Sequence, residues 1–312
     1  MVSILRTLIL VTAILLASIL QRGAIAQSLN APDGENSSSP RLIPARTTMV
    51  TAWDIPRHPD ADSTLENSPR GETIRWGFRL FMHTPREAPQ FVRNALTCGN
   101  CHLNGGQREA AMPLVGVASV FPEYNKREAR MFTLEDRIVG CFMRSENGSA
   151  GQEVPRHDSK EVTALAAYIS WISEGFSRGE RLPWRGRNTI SPENLIPVER
   201  LSIARGKKLF MEKCSSCHGK DGQGVHIGDK KAGPLWGPDS WNDGAGAARI
   251  YTLAGMIRYA MPYLSPGSLT DEEAQQIAAF INSMRRPAYP LKDQDYRVEK
   301  LPPDAVYYGK RP

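Results

Sequence analysis

Cysteine and histidine recur in one pattern, Cys98-Gly-Asn-Cys101-His102 and Cys214-Ser-Ser-Cys217-His218. Each copy sets two thiols one helical turn apart with an imidazole beside them. That is the donor set for covalent attachment of a c-type haem, with the thiols on the porphyrin and the imidazole on iron. A structural zinc site made from both motifs would leave each His immediately after a Cys, a poor spacing for one tetrahedral ion. The motifs consume four of the five cysteines, and Cys141 is left without a partner.

Each iron needs a decision on its other face. In the second half, Met261 stands before a proline in a loop, and a thioether there would raise the reduction potential. Met256 competes, but it lies in an expected short helix, Leu253–Tyr259, where a methionine more often fills the core. In the first half the candidates are Met112, Met131, Cys141 and Met143. Cys141 reads either as a small buried hydrophobe or as a ligand. Thr133-Leu-Glu-Asp136 looks like a helix start, with acids in the first turn. On that helix Arg137, Cys141 and Ser145 share a face, with Arg144 beside them and Lys126, Arg127 and Arg130 just upstream. The arginines could be a solvated face. They could equally stabilise a thiolate and attract a small anion.

The elements that must position these groups are helical. Ile74–Met82 and Ile203–Glu212 lead into the two motifs, the second with Leu209 and Phe210 as apolar anchors. One closing helix follows Ser159, with Val162, Leu165, Ala166, Ile169 and Ile172 as its stripe. The other starts at a capping box, Thr270-Asp-Glu-Glu273, and carries Ala274, Ile277, Ala278, Ile281 and Met284 up to a stop at Pro287. No strand pattern of useful length is visible. The fold expected is mainly α: two tandem class I cytochrome c-like domains, over 71–177 and 199–287, joined by an Arg/Gly/Pro-dense linker over 178–198. An extended arm over 27–70 precedes them and an irregular, proline-rich strap over 288–312 follows.

The N-terminus reads as a secretory signal over 1–26. Arg6 supplies the basic region, Thr7–Leu20 the apolar run, and Ala24-Ile25-Ala26 the cleavage site. The run is too short for a comfortable membrane span, so the expected product is periplasmic, with no stable span after cleavage. The chain carries a formal charge of +6, and loss of Arg6 and Arg22 leaves +4. The propionates of two haems bring that close to neutral. The basic balance is therefore no argument for nucleic acid.

The run Leu96–Gly106, then Pro113–Gly116, Phe121–Tyr124, Thr133–Ile138 and Cys141–Gly148, closely resembles the dihaem thiosulfate dehydrogenases, which join thiosulfates into tetrathionate. The resemblance covers roughly residues 70–290. It implies two covalent haem c groups, with His102 and Cys141 on the first iron and His218 and Met261 on the second. Some members ligate through a lysine just before that methionine; Ala260 stands there in this chain. The family's anion-binding arginine and serine match Arg137 and Ser145, and a further basic position matches Arg127. Electrons would pass to a soluble cytochrome c or a terminal oxidase. Two other readings remain: a dihaem electron carrier without substrate chemistry, and a sulfur-oxidation cytochrome acting on a protein-bound sulfur substrate.

Overall fold

A computed structural model of the chain describes residues 42–44, 52–150, 153–227 and 230–309. All of them belong to the compact unit Ser39–Pro312. The expected signal segment, and the expected arm up to residue 51 apart from 42–44, lie outside the described residues.

Helix α1, Pro69–Met82, starts one turn before the apolar stripe that betrays it. The Ser68 side chain accepts a hydrogen bond from the Gly71 N–H at 3.2 Å, and Pro69 takes the first helical position, where no N–H partner is needed. Ile74, Phe78, Leu80 and Phe81 form its buried face. A ribbon of β1, Glu123–Asn125, and β2, Arg130–Phe132, is antiparallel with Tyr124 opposite Met131. Helix α2, Leu134–Arg144, is held at its start by a reciprocal box between Thr133 and Asp136. Helix α3, Lys160–Trp171, closes the first half.

The second half repeats the plan. Ser202 caps α4, Ile203–Lys213. A minimal ribbon of β3, His226–Ile227, and β4, Lys230–Lys231, comes next, then α5, Ile250–Ala260. Helix α6, Asp271–Asn282, begins at the expected capping box and ends before Pro287 is reached.

The repetition is visible at backbone level. A Cβ on Gly77 would lie 1.9 Å from the Ala164 carbonyl oxygen, and one on Gly206 would lie 2.0 Å from that of Gln276. In each half the entering helix therefore crosses the closing helix in direct backbone contact, which only glycine permits. Each crossing is followed by a Cys-x-x-Cys-His turn. Phe78, Phe81, Leu165, Tyr168 and Trp171 pack the first core; Leu209, Phe210, Trp236, Ile277 and Phe280 pack the second. This is the mainly α pair of tandem cytochrome c domains that the sequence pattern predicts.

The halves are not separate beads. Leu96, just before the first motif, packs in the second core. The C-terminal strap is pinned by ion pairs from Lys292 to Asp243 and, at 2.8 Å, from Arg249 to Asp304. It buries Tyr289, Asp295, Tyr296 and Tyr308. No described helix is long and apolar enough to cross a membrane.

Candidate active site

The first motif folds as a single turn, Cys98–Cys101, capped by its own third residue. The Thr97 N–H donates to Asn100 Oδ1 at 2.8 Å. The Cys98 N–H donates to Thr84 Oγ1 at 3.1 Å, which fixes the turn on the short helix Thr84–Glu87 that follows α1. His102 Nδ1 lies 2.6 Å from the Met112 carbonyl oxygen. A proton on Nδ1 satisfies that carbonyl and leaves Nε2 unprotonated for a metal. Burial pushes the imidazole down to about 4, the Met112 carbonyl opposing it and the Arg137 charge adding to it, so the ring is neutral at physiological pH.

A cavity of about 340 Å³ opens in front of this turn. Cys98, Cys101, His102, Arg137, Cys141 and Ser145 all line it. The helical spacing places them so: Leu134, Arg137, Ile138, Cys141 and Phe142 recur every three or four residues on one side of α2, and all of them line the cavity. Ser145 caps the helix, its carbonyl accepting from Asn94 Nδ2 at 2.7 Å. The Arg137 guanidinium makes no hydrogen bond or ion pair among the described residues. Arg127 does not reach the lining: its guanidinium donates to the Gly244 carbonyl and sits over the Tyr296 ring.

Arg144 corrects the sequence reading. The basic run suggested a cation for substrate, but Arg144 is 5% exposed and points away from the cavity. Both its terminal nitrogens bond to Asp295, each at 2.7 Å, and it also meets Glu128 at 3.1 Å. It is a strut between α2 and the strap.

The methionine alternatives separate as well. Met131 is exposed on β2, and Met143 is half-buried with its carbonyl accepting from Asn242 Nδ2 at 2.9 Å. Met112 lines the cavity but presents its carbonyl to His102. Met256 and Met261 both join a small cluster with Leu103, Ala111 and Ala260, which Cys101 and Met112 also touch. That cluster spans from the first motif to the candidate ligands of the second.

Sequence reasoning missed four cavity residues. Glu146 is 3% exposed, with Oε2 unpartnered among the described residues, and burial holds its carboxyl well above the usual range. Trp241 Nε1 is buried and likewise unpartnered. Glu123 and Arg185 form an ion pair at the lining. Glu123 and Glu146 fall inside runs that carry the family resemblance, but no periodicity or capping signal marks any of the four as a cavity residue.

The cavity suits a haem. Its walls are apolar, supplied by Phe81, Ile138, Phe142, Leu165 and Ile169. Its buried Glu146 Oε2 and Trp241 Nε1, unpartnered among the described residues, are polar atoms that a bound haem could satisfy. Two thiols and a neutral imidazole line it, the donor set that attachment would use. In the second half, His218 Nδ1 is buried and faces the Gly233 carbonyl, outside strict hydrogen-bond geometry.

Fold and site together define a dihaem c-type cytochrome. Residues 90–177 match the family "SoxA/TsdA, cytochrome c domain", and residues 202–281 match "Cytochrome C oxidase, cbb3-type, subunit III". The chain is 38% identical to a thiosulfate dehydrogenase of Stutzerimonas stutzeri, over 74% of this chain and 73% of that one. It is 37% identical to the Allochromatium vinosum enzyme, over 73% and 84%. A solved structure, the thiosulfate dehydrogenase TsdBA from Marichromatium purpuratum, superposes with a TM-score of 0.67 at 37% identity, covering 75% of this chain and half of that one. The chain belongs to the thiosulfate dehydrogenase family, and it is an oxidoreductase with two covalently bound haem c groups. Peptide mass mapping is expected to find one haem on the peptide carrying Cys98 and Cys101 and one on that carrying Cys214 and Cys217. A single haem would refute this architecture.

Proposed function

We propose that the protein works in the periplasm, oxidising two thiosulfates to tetrathionate and passing two electrons to a soluble cytochrome c or a terminal oxidase. The observation that carries the reading is the convergence of Cys141, Arg137 and Ser145 on the cavity of the first Cys-x-x-Cys-His turn. Joining the terminal sulfurs of two thiosulfates forms one S–S bond, releases two electrons and moves no proton. Each haem, when bound, takes up one electron. His102 and Cys141 would hold the first iron, and His218 and Met261 the second.

The chain's own residues have three tasks. Cys141 brings a sulfur to the place where substrate sulfur reacts. Arg137 supplies a cation not committed to any acid among the described residues, so its charge is available to a sulfonate. Ser145 offers a hydroxyl one turn further along the same face. Arg127, held by the Gly244 carbonyl, contributes its positive field. The first domain carries the substrate chemistry and the second collects electrons for export.

Turnover of free thiosulfate with ferricyanide as acceptor is the test. A bare electron carrier would show none, and an enzyme for protein-bound sulfur would need its carrier protein added. Arg137→Ala is expected to lower kcat/KM about tenfold, since a charge-assisted hydrogen bond contributes roughly 1.5–3 kcal/mol and about 1.4 kcal/mol is a factor of ten. The change should fall mostly in KM, because thiosulfate is already a dianion before it reacts. Arg137→Lys should recover only part, having lost the planar fork. Near wild-type kinetics in both variants would return Arg137 to a solvated face.

A further inference from the structure

The reaction brings two dianions together, and one guanidinium cannot offset both. Among the described residues the cations lining the first cavity are Arg137 and Arg185. Arg144 is neutralised by Asp295, and Arg127 keeps its charge but stands outside the lining, so it acts only through its field. We propose that Arg185 is the cation of a second anion subsite, which receives the second thiosulfate, and that Glu123 holds it until the anion arrives. The proposal rests on the function above and names a residue that function does not assign.

Arg185 reaches the cavity because the linker is part of its wall. Leu182 is 3% exposed and lies against Gly116. Trp184 donates from Nε1 to the Val115 carbonyl at 3.0 Å and packs edge-on to Phe176. Arg187 meets Glu109 at 3.2 Å. These anchors on both sides hold Arg185 at the lining, beside Gly186 and Asn188. Its partner Glu123 stands on β1, which also lines the cavity. The pair is half open to solvent, with side chains 52% and 42% exposed.

That exposure matters. A surface ion pair is weak and exchanges partners readily. A dianion entering the cavity can take the Arg185 guanidinium from Glu123, gaining a bidentate contact of the same kind. Glu123 therefore competes with substrate for Arg185. When the anion leaves, the carboxylate re-forms the pair, which helps release the product dianion.

The competition gives a test that a merely structural ion pair fails. Both Arg185→Gln and Glu123→Gln break the pair, so a structural pair would make the two variants alike. A subsite cation with a competing carboxylate makes them opposite. Arg185→Gln is expected to raise the half-saturating thiosulfate concentration about tenfold, and Glu123→Gln to lower it about threefold. Equilibrium binding of inorganic sulfate, an inert dianion, to the oxidised holoprotein should move in the same two directions without turnover. Shifts of the same sign, or none, would overturn the proposal. So would unchanged sulfate binding with a shifted reduction potential, which would mark Arg185 as a contact of the first haem's propionate. Wild-type protein that binds sulfate with the expected dependence yet leaves thiosulfate unoxidised would refute the proposed function and leave the anion subsite standing.

Discussion

Cys141→Ala is expected to keep the fold and both haems while thiosulfate oxidation falls by about three orders of magnitude or more, the scale at which loss of a reacting group acts. The fold should survive because Cys141 is only half-buried. Its neighbours Ile138 and Phe142, 6% and 2% exposed, carry the packing of α2. Removing one sulfur there costs about 1 kcal/mol, an ordinary core adjustment. The haems should survive because the proposed attachment, through Cys98, Cys101, Cys214 and Cys217, does not involve Cys141. The oxidised wild type should show a thiolate-ligated low-spin signal beside a His/Met signal, and the variant only the second. Cys141→Met is the informative companion, since it restores a sulfur ligand without a thiol. If both variants lose the thiolate signal and both lose turnover, the thiol itself is needed. An active Cys141→Ala enzyme would return this residue to the role of a small core hydrophobe.

What was legible in the sequence had local causes. Thr133 with Asp136 and Thr270 with Glu273 start helices through contacts three residues apart, and the structure shows both boxes. The stripes of α3 and α6 bury as expected except at Met284, which lies beyond the end of α6 and is half-buried, and the motifs mark their own turns. Arg137, Cys141 and Ser145 could be grouped because one helical period relates them. Boundaries were less legible: α1 begins at Pro69 rather than Ile74 because a cap, not an apolar residue, sets its start.

The misreadings have non-local causes. Arg144 sits in a basic run, and nothing nearby tells it from Arg137. Its decisive partner, Asp295, is 151 positions away in a strap that sequence patterning leaves irregular. Arg185 looked like linker charge, and only tertiary packing of Leu182 and Trp184 brings it to the cavity. Leu96 and Trp241 show the same limit. Leu96 is a first-half residue in the second core, while Trp241 belongs to the second core and lines the first cavity. Periodicity assigns a residue to a face, but not to a domain.

The Arg144 strut sets up the largest stability effect expected in the chain. Burial pulls its guanidinium down, but hydrogen bonding and the charge of Asp295 outweigh this and hold it above its usual range. Asp295 is 1% exposed, and Tyr308 also donates to it at 2.5 Å. Arg144→Ala leaves that carboxylate buried without its fork, a loss on the order of 3–5 kcal/mol. For a chain of this size the melting temperature should fall by roughly ten degrees. Arg144→Lys should recover only part, because an ammonium cannot make both parallel bonds. Removing both charges is the sharper comparison. Arg144→Met with Asp295→Leu should cost less than either single change, since replacing a buried pair by apolar groups is often close to neutral. Arg144 lies one turn beyond Cys141, so the single variants should also broaden the thiolate signal as α2 loosens from the strap. If Arg144→Ala melts within a degree or two of wild type, or the double variant is no better than the sum of the singles, then the α2–strap contact is incidental packing and the strap has no part in fixing Cys141.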